Sequence, residues 1–135
     1  MAFRIKRLKA TLKKRTMKNL QELLEGLNQF TGEIVWYQPL LYPHFLYTKG
    51  VRYLAINADC FWLLDFIFSN QLLATLKEET FQVWTIEKAD DKASITVCDG
   101  NGNVIEVFPL FNTFFPLKKY TLWCIQGRLI LPTEY

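Results

Sequence analysis

The stretch FQVWTIEKADDKASITVCDGNGNVIEVF, residues 81–108, decides the fold. Its first eight residues, 81–88, alternate in a way typical of a β-strand with two different faces. One face would carry Phe81, Val83 and Thr85, and the other Gln82, Trp84 and Ile86. Residues 93–100 and 103–108 give two further strand-like segments, separated by turn residues. Since the connections are short, the pairing is predicted to be antiparallel.

The loop DGNGN, residues 99–103, has two interpretations. Its Gly100 and Gly102 form a Gly-x-Gly pair of the kind that binds phosphate, but such loops lead into a helix. Here a β-like segment follows, and position 12 of a calcium loop that starts at Asp99, where an acidic ligand is needed, is Leu110. Asp-Gly and Asn-Gly are strong hairpin signals, so a turn is predicted.

On the N-terminal side of this stretch, the spacing of the apolar residues changes from two to about 3.6 residues. Residues 120–127 and 128–132 add strands after it. Before it, leucines three and four apart predict a helix over 17–30. Residues 48–79 are also helical in pattern, with Thr48 as a cap and a break at Asn57 and Asp59. The predicted fold class is α+β, with N-terminal helices packed on one face of a four- or five-stranded antiparallel sheet.

The net charge of +3 is divided unevenly along the chain. Residues 1–18 hold eight of the sixteen basic residues, whereas the rest holds eight basic and thirteen acidic residues, a net charge of −5. We therefore divide the chain into a basic extension, 1–16, for which disorder is one interpretation, and a single domain, 17–135. A start at Met17 is another interpretation. Nucleic-acid binding would use the extension's end: Lys13, Lys14, Arg15 and Lys18.

The residues that usually carry chemistry are few. Three cysteines, Cys60, Cys98 and Cys124, have no paired spacing, so free thiols are expected rather than disulfides or a zinc site. His44 is the only histidine and has no local nucleophile signature. No cofactor or metal is predicted. No secretory signal or stretch of about 20 apolar residues is present, so we expect a soluble cytoplasmic protein with no membrane segment.

Asp65 stands out in the apolar segment FWLLDFIFS, residues 61–69. A helix that is hydrophobic on most sides is expected to be largely buried, so Asp65 is predicted to be a buried acid. A buried carboxylate needs partners or a raised pKa. Whether Asp65 is structural or functional stays open at this point.

An aromatic connector, residues 33–47, separates the first helix from the second helical segment. Its aromatic residues are Trp36, Tyr37, Tyr42, Phe45 and Tyr47. Core packing is one interpretation, and contact with a partner is the other. The candidate partner-binding residues are Tyr37, Tyr42, Tyr47 and Arg52.

Several short segments occur together in one order: QFTG (29–32), LYTKGVRYLA (46–55), FWLLD (61–65), FQVW (81–84), CDGNGN (98–103), FPL (115–117) and LPTEY (131–135). In this the chain resembles a family of small, uncharacterised bacterial proteins, common in cyanobacteria and on plasmids and phages. The family is catalogued only as a domain of unknown function. The resemblance covers about residues 17–135 and implies an accessory or mobile-element setting. It supplies no catalytic residues, and the basic extension departs from its pattern.

These observations predict a non-enzymatic binding or interaction protein whose protein partner is unidentified. The alternative is a nucleic-acid-binding protein that uses the basic arm. A small enzyme built around Asp65, Cys60 or His44 is a third interpretation. The chain is expected to be a monomer or a homodimer. The segment RLILP, 128–132, is predicted to be an exposed edge strand that could support a dimer, although Pro132 limits it.

Overall fold

Helices precede most of the strands in a computed structural model that describes residues 20–31, 35–90, 92–110 and 115–135. The helices are α1 (Leu20–Asn28), α2 (Lys49–Asn57) and α3 (Phe61–Ser69). The strands are β1 (Trp36–Tyr37), β2 (Leu46–Thr48), β3 (Phe81–Ala89), β4 (Lys92–Asp99), β5 (Val104–Leu110), β6 (Lys119–Ile125) and β7 (Arg128–Ile130). Short 3-10 turns span Asn70–Leu72 and Pro132–Glu134. None of the helices in these ranges is long and apolar enough to cross a membrane.

The sheet has seven strands in the order β1-β2-β7-β6-β3-β4-β5. The predicted α+β class is confirmed, and the five strands expected from the sequence, β3 to β7, pair with one another antiparallel. The predicted count of four or five strands and the purely antiparallel pairing are wrong, because β2 joins β7 in parallel. Both extra strands come from the connector. They have two and three residues, too few for an alternating pattern, and Pro39 and Pro43 lie between them.

The strand β7 lies inside the sheet, so the prediction that RLILP is an exposed edge strand is wrong. One side of β7 pairs with β6, and the other side pairs with β2 through Leu46 and Tyr47. The edges of the described sheet are β1 and β5. On β5, Pro109 has no N–H to donate, which makes that edge a poor template for adding a strand.

The hydrophobic core lies between the helices and one face of the sheet. Each helix contributes buried side chains, for example Leu27 of α1, Leu54 of α2 and Ile67 of α3. The sheet contributes Trp84, Ile86, Ile95, Val97, Leu122, Cys124 and Leu129. These sheet residues alternate with side chains that point away from the helices, so one layer of helices covers one face.

The chain end is attached to the start of α2. The Thr48 hydroxyl accepts a hydrogen bond from the Val51 N–H at 3.1 Å, which confirms Thr48 as the helix cap. The same hydroxyl donates to Glu134 Oε1 at 2.6 Å, and the Leu131 N–H donates to that oxygen at 2.9 Å. These bonds hold Glu134 beside α2 and bring Tyr135 to the face of the sheet opposite the helices.

The DGNGN loop is a hairpin turn between β4 and β5, as predicted. Asp99 Oδ1 accepts hydrogen bonds from the N–H groups of Asn101 and Asn103 at 2.8 and 2.9 Å. The side-chain bond from Asn103, followed by these backbone bonds, lowers the pKa of the Asp99 carboxyl. Gly102 has φ +86, a conformation that glycine adopts without strain. The carboxylate is therefore used within the turn itself.

Candidate functional site

No α-helix among the described residues lies over the opposite face of the sheet, and Tyr135 packs against one end of it. We call this face the open face. Its register is set by β3: Thr85 lies between Thr96 on β4 and Thr121 on β6, and Val83 lies between Cys98 and Trp123. The open face carries Phe81, Val83, Thr85, Glu87, Ser94, Thr96, Cys98, Val107, Lys119, Thr121, Trp123, Ile125, Arg128 and Ile130.

The centre of the open face is uncharged and partly apolar. Thr85 and Thr121 share a hydrogen bond between their hydroxyls at 3.1 Å, and Val83 and Trp123 lie beside them half-buried. The charged pair Lys119 and Glu87, 3.6 Å apart, lies at one end of the strands. The solvent-exposed face of an antiparallel sheet normally carries polar side chains. This mixture of apolar, aromatic and hydroxyl groups is closer to the centre of a protein interface.

An aromatic cluster stands at the other end of the strands. The ring centroid of Trp123 lies 5.3 Å from those of both Phe81 and Tyr135. Phe81 and Tyr135 are 6.0 Å apart in an edge-to-face arrangement. Tyr135 is 79% exposed despite these contacts, so one side of the cluster is accessible. Aromatic side chains offer large contact area at small entropic cost.

A cleft with a volume of about 260 Å³ adjoins this cluster. It is lined by Trp36, Ile125, Gln126, Arg128, Ile130, Glu134 and Tyr135. The Arg128 guanidinium lies over the Trp36 ring, 5.7 Å from its centroid. The cleft thus joins a cation to two partly exposed aromatic walls, Trp36 and Tyr135.

The predicted partner-binding residues fall into two sets of aromatic contacts. Tyr37 and Tyr47 stack with centroids 5.8 Å apart, and the Arg52 guanidinium lies 4.5 Å from the Tyr37 centroid. This group is on the helix side, since Tyr47 pairs with the buried Leu129. Tyr42 belongs to a different cluster, with Phe45 at 6.5 Å and Phe68 at 6.1 Å.

Asp65 is exposed, so the prediction of a buried acid is wrong. The helix α3 buries Leu63, Leu64, Ile67 and Phe68. Its outer side leaves Phe61 43% exposed and Trp62 38% exposed, together with Asp65. The described residues form a single layer of helices, so no element among them covers the outer side of α3. Apolar residues on most sides of α3 therefore do not mean that all of its sides are buried.

The three cysteines and the histidine differ in their exposure to solvent. Cys60, Cys98 and Cys124 are all free. Burial, and then the charge of Asp59, raises the pKa of the Cys60 thiol to about 12. Burial raises the pKa of Cys124 to about 12 as well. Such thiols stay protonated and are poor nucleophiles. His44 is exposed, and within the described ranges no three side chains are grouped to hold a metal ion.

Other sequence predictions lie outside the described residues, namely the basic extension 1–16 and Lys13, Lys14, Arg15 and Lys18. Conversely, sequence reasoning missed two residues of the cleft, Arg128 and Tyr135, and it assigned Trp36 only to the connector. No local motif marks these residues, because they meet through pairing between strands that are far apart in the chain.

Comparisons with known proteins give a family but no activity. A family model, described as a family of unknown function (DUF6876), matches residues 21–135. No curated protein matches the chain, and no solved structure matches it either. Because the family model covers all but the first 20 of the 135 residues, the chain belongs to this family of unknown function, DUF6876.

Proposed function

We propose that this protein is a non-enzymatic interaction protein that binds a protein partner through the open face of its sheet. One observation carries the proposal: a sheet face without a helix over it in the described residues has an uncharged centre with apolar and aromatic side chains. A surface that mixes apolar, aromatic and hydroxyl groups in this way is typical of interaction sites on proteins. The accessory, mobile-element setting implied by the family resemblance is part of the same proposal.

The size of the open face suits a protein partner. Five neighbouring strands, β7-β6-β3-β4-β5, form its main part. With strands about 4.8 Å apart and about seven residues long, they span on the order of 550 Å². A stable interface takes about 800 Å² from each partner. Trp36 and Tyr135, which lie outside these five strands, extend the open face toward that area.

The charges of the open face favour a protein over a nucleic acid at this surface. Lys119 is paired with Glu87, which leaves Arg128 and Lys92, at opposite ends of the strands, as the other cations among the described residues of the face. Nucleic-acid affinity depends on several phosphate contacts, and each needs a cation. A neutral, partly aromatic surface instead gains by removing apolar area from water.

The test is site-specific cross-linking in the cells that naturally produce the protein. A photoreactive phenylalanine analogue replaces Val107, which is 55% exposed on the open face. In a matched chain it replaces Trp62, which is 38% exposed on the helix side. We expect one adduct of defined mass from position 107 and none from position 62.

A charge inserted into the open face checks that the adduct reports binding. With Thr96→Lys in the centre of the face, we expect the adduct from position 107 to decrease at least tenfold. Asn101→Lys adds the same charge in the exposed hairpin turn and should leave the adduct intact. Equal adducts from positions 62 and 107, or an adduct that ignores Thr96→Lys, would refute the proposed surface.

The basic segment supports a second candidate function, nonspecific binding of nucleic acid. Eight basic residues precede Asn19, and the first acidic residue is Glu22. If this segment binds phosphates, affinity for a fluorescent single strand should fall steeply as salt increases. Exchanging Lys13, Lys14, Arg15 and Lys18 for glutamine should flatten that dependence. Affinity that is unchanged by salt and by the four substitutions would rule out the electrostatic arm.

A further inference from the structure

We propose that the cleft beside the aromatic cluster binds the carboxylate of an acidic side chain in an extended segment of the partner. This inference rests on the proposed function, since it names the chemistry that the partner presents at one end of the open face. It assigns Arg128 as the group that pairs with the carboxylate. Trp36 and Tyr135 would contact the apolar neighbours of the acidic residue.

Arg128 is positioned for a ligand. Among the described residues, no carboxylate lies within ion-pair distance of its guanidinium, although Glu134 lines the same cleft. Glu134 Oε1 is instead occupied by the Thr48 hydroxyl and the Leu131 N–H. The Trp36 ring, 5.7 Å from the guanidinium carbon, supports Arg128 from one side. A guanidinium held in this way loses little entropy when it forms a two-bond fork with a carboxylate.

The turn beside Arg128 carries an unusual residue. Gln126 and Gly127 connect β6 to β7, and both have positive φ, +51 and +79. A two-residue hairpin of this kind favours asparagine or glycine at both positions. Gln126 adopts this conformation and, like Arg128, lines the cleft.

The charge of the cleft selects a monoanion. Arg128 and Glu134 both line the cleft, so a monoanion paired with Arg128 meets less repulsion from Glu134 than a phosphate dianion would. The walls are mainly apolar, formed by Trp36, Ile125, Ile130 and Tyr135. A small hydrophilic anion would leave those walls exposed to water. A carboxylate flanked by apolar side chains uses both parts of the cleft.

The place of the cleft favours an extended peptide as its source. Trp36 belongs to β1, the strand at the edge of the described sheet. An extended chain that runs along such an edge presents alternate side chains to the same face. One acidic side chain could then reach Arg128 while the next residue on that side contacts Tyr135.

The experiment follows peptide binding to the full chain by two-dimensional ¹H–¹⁵N NMR. The first probe is an N-acetylated, C-amidated leucine–alanine–glutamate–alanine–leucine peptide, whose leucines lie on the same side as the glutamate when the chain is extended, and the second has glutamine in place of glutamate. We expect shifts of the Trp36 indole N–H and the Arg128 Nε–H with the first probe, at millimolar affinity. The glutamine probe and the Arg128→Gln variant should each weaken binding at least tenfold. Lys119→Gln removes a cation of the same face outside the cleft and should change affinity less than twofold.

A third probe separates two sources of a carboxylate. It is the glutamine peptide with a free C-terminal carboxylate in place of the amide. If only this probe shifts Trp36, the carboxylate comes from a chain end and the proposed acidic side chain is wrong. If the glutamate and glutamine probes bind equally, or if Arg128→Gln leaves affinity unchanged, the carboxylate site is wrong altogether.

The outcome of the cross-linking distinguishes this inference from the proposed function. An adduct from position 107 that persists in the Arg128→Gln chain, together with no peptide binding, would leave the open face as the partner surface and refute the cleft. Peptide binding with no adduct from position 107 would refute the open face and leave the carboxylate site standing.

Discussion

Gln82→Ala is expected to lower the free energy of unfolding by about 4 kcal/mol. Gln82 is 1% exposed, between the helices and the sheet. Its side-chain oxygen accepts hydrogen bonds from Trp84 Nε1 and Gln71 Nε2, both at 2.9 Å. Its amide nitrogen donates to Gln71 Oε1 at 3.0 Å, and also to the carbonyls of Leu76 and Glu79 at 3.2 and 3.1 Å.

Two costs combine in this variant. Alanine leaves Trp84 Nε1 and part of the Gln71 amide without partners, and each buried group left unpaired costs about 1–3 kcal/mol. The missing side-chain atoms also leave a cavity. The change is measured as the shift of the urea midpoint, at constant slope. Gln21→Ala is the control, because Gln21 is exposed on α1 and bonds only Glu25 among its described contacts. It should change stability by less than about 0.5 kcal/mol.

A loss below about 1 kcal/mol for Gln82→Ala would contradict this account, since water would then be replacing the amide. Gln82→Leu provides a second check. Leucine restores most of the volume but cannot bond to Trp84 or Gln71, so the cost of the unpaired groups should persist. If Gln82→Leu were as stable as the natural chain, packing alone would explain the role of Gln82.

The same residue shows what the sequence can and cannot predict. Alternation over 81–88 predicts that Gln82 shares a face with Trp84, and both side chains are buried on the helix side of the sheet. The alternation involves only neighbouring residues of one strand, so it can be recognised from the sequence alone. The partner of Gln82, Gln71, lies in a 3-10 turn after α3. Nothing local links the two amides, so the sequence does not reveal that Gln82 is satisfied inside the core.

The candidate site is harder to predict for a related reason. A strand pattern assigns side chains to two faces, but it does not say how many layers the protein has. That is why the sequence predicts a buried Asp65 and does not reveal the open face. The cleft depends on Trp36 meeting Arg128 through β2, a strand of only three residues. Such short strands form because neighbouring strands pair with them, and their own sequence carries little signal.

Raising the pH from 9 to 11 is expected to lower the free energy of unfolding by several kcal/mol. Burial raises the pKa of the Cys60 and Cys124 thiols to about 12 in the folded protein. An unfolded cysteine has a pKa of about 8.5. Between these values the unfolded chain has released the thiol protons while the folded chain still holds them. Stability therefore falls as pH rises, by about 1.4 kcal/mol per pH unit for each thiol.

The third contributor is Tyr120, whose pKa is raised to about 12 by burial and then by the charge of Glu134. Its phenol adds to the decline only above about pH 10, where an unfolded tyrosine ionises. Together these groups would remove much of the roughly 5–15 kcal/mol that stabilises a typical domain. Urea midpoints from pH 8 to pH 11, under reducing conditions, measure the effect.

Substitution of the thiols identifies which groups cause the decline. Cys60→Ala with Cys124→Ala should lower stability at pH 8, because each leaves a small cavity, but should flatten the fall between pH 9 and pH 11. Cys98→Ser is the matched control, since it removes a half-buried thiol of the open face and keeps Cys60 and Cys124, so the fall between pH 9 and pH 11 should remain. A stability that stays constant to pH 11 in the natural chain would mean that the buried thiols ionise without unfolding. In that case water must reach Cys60 and Cys124 inside the folded core.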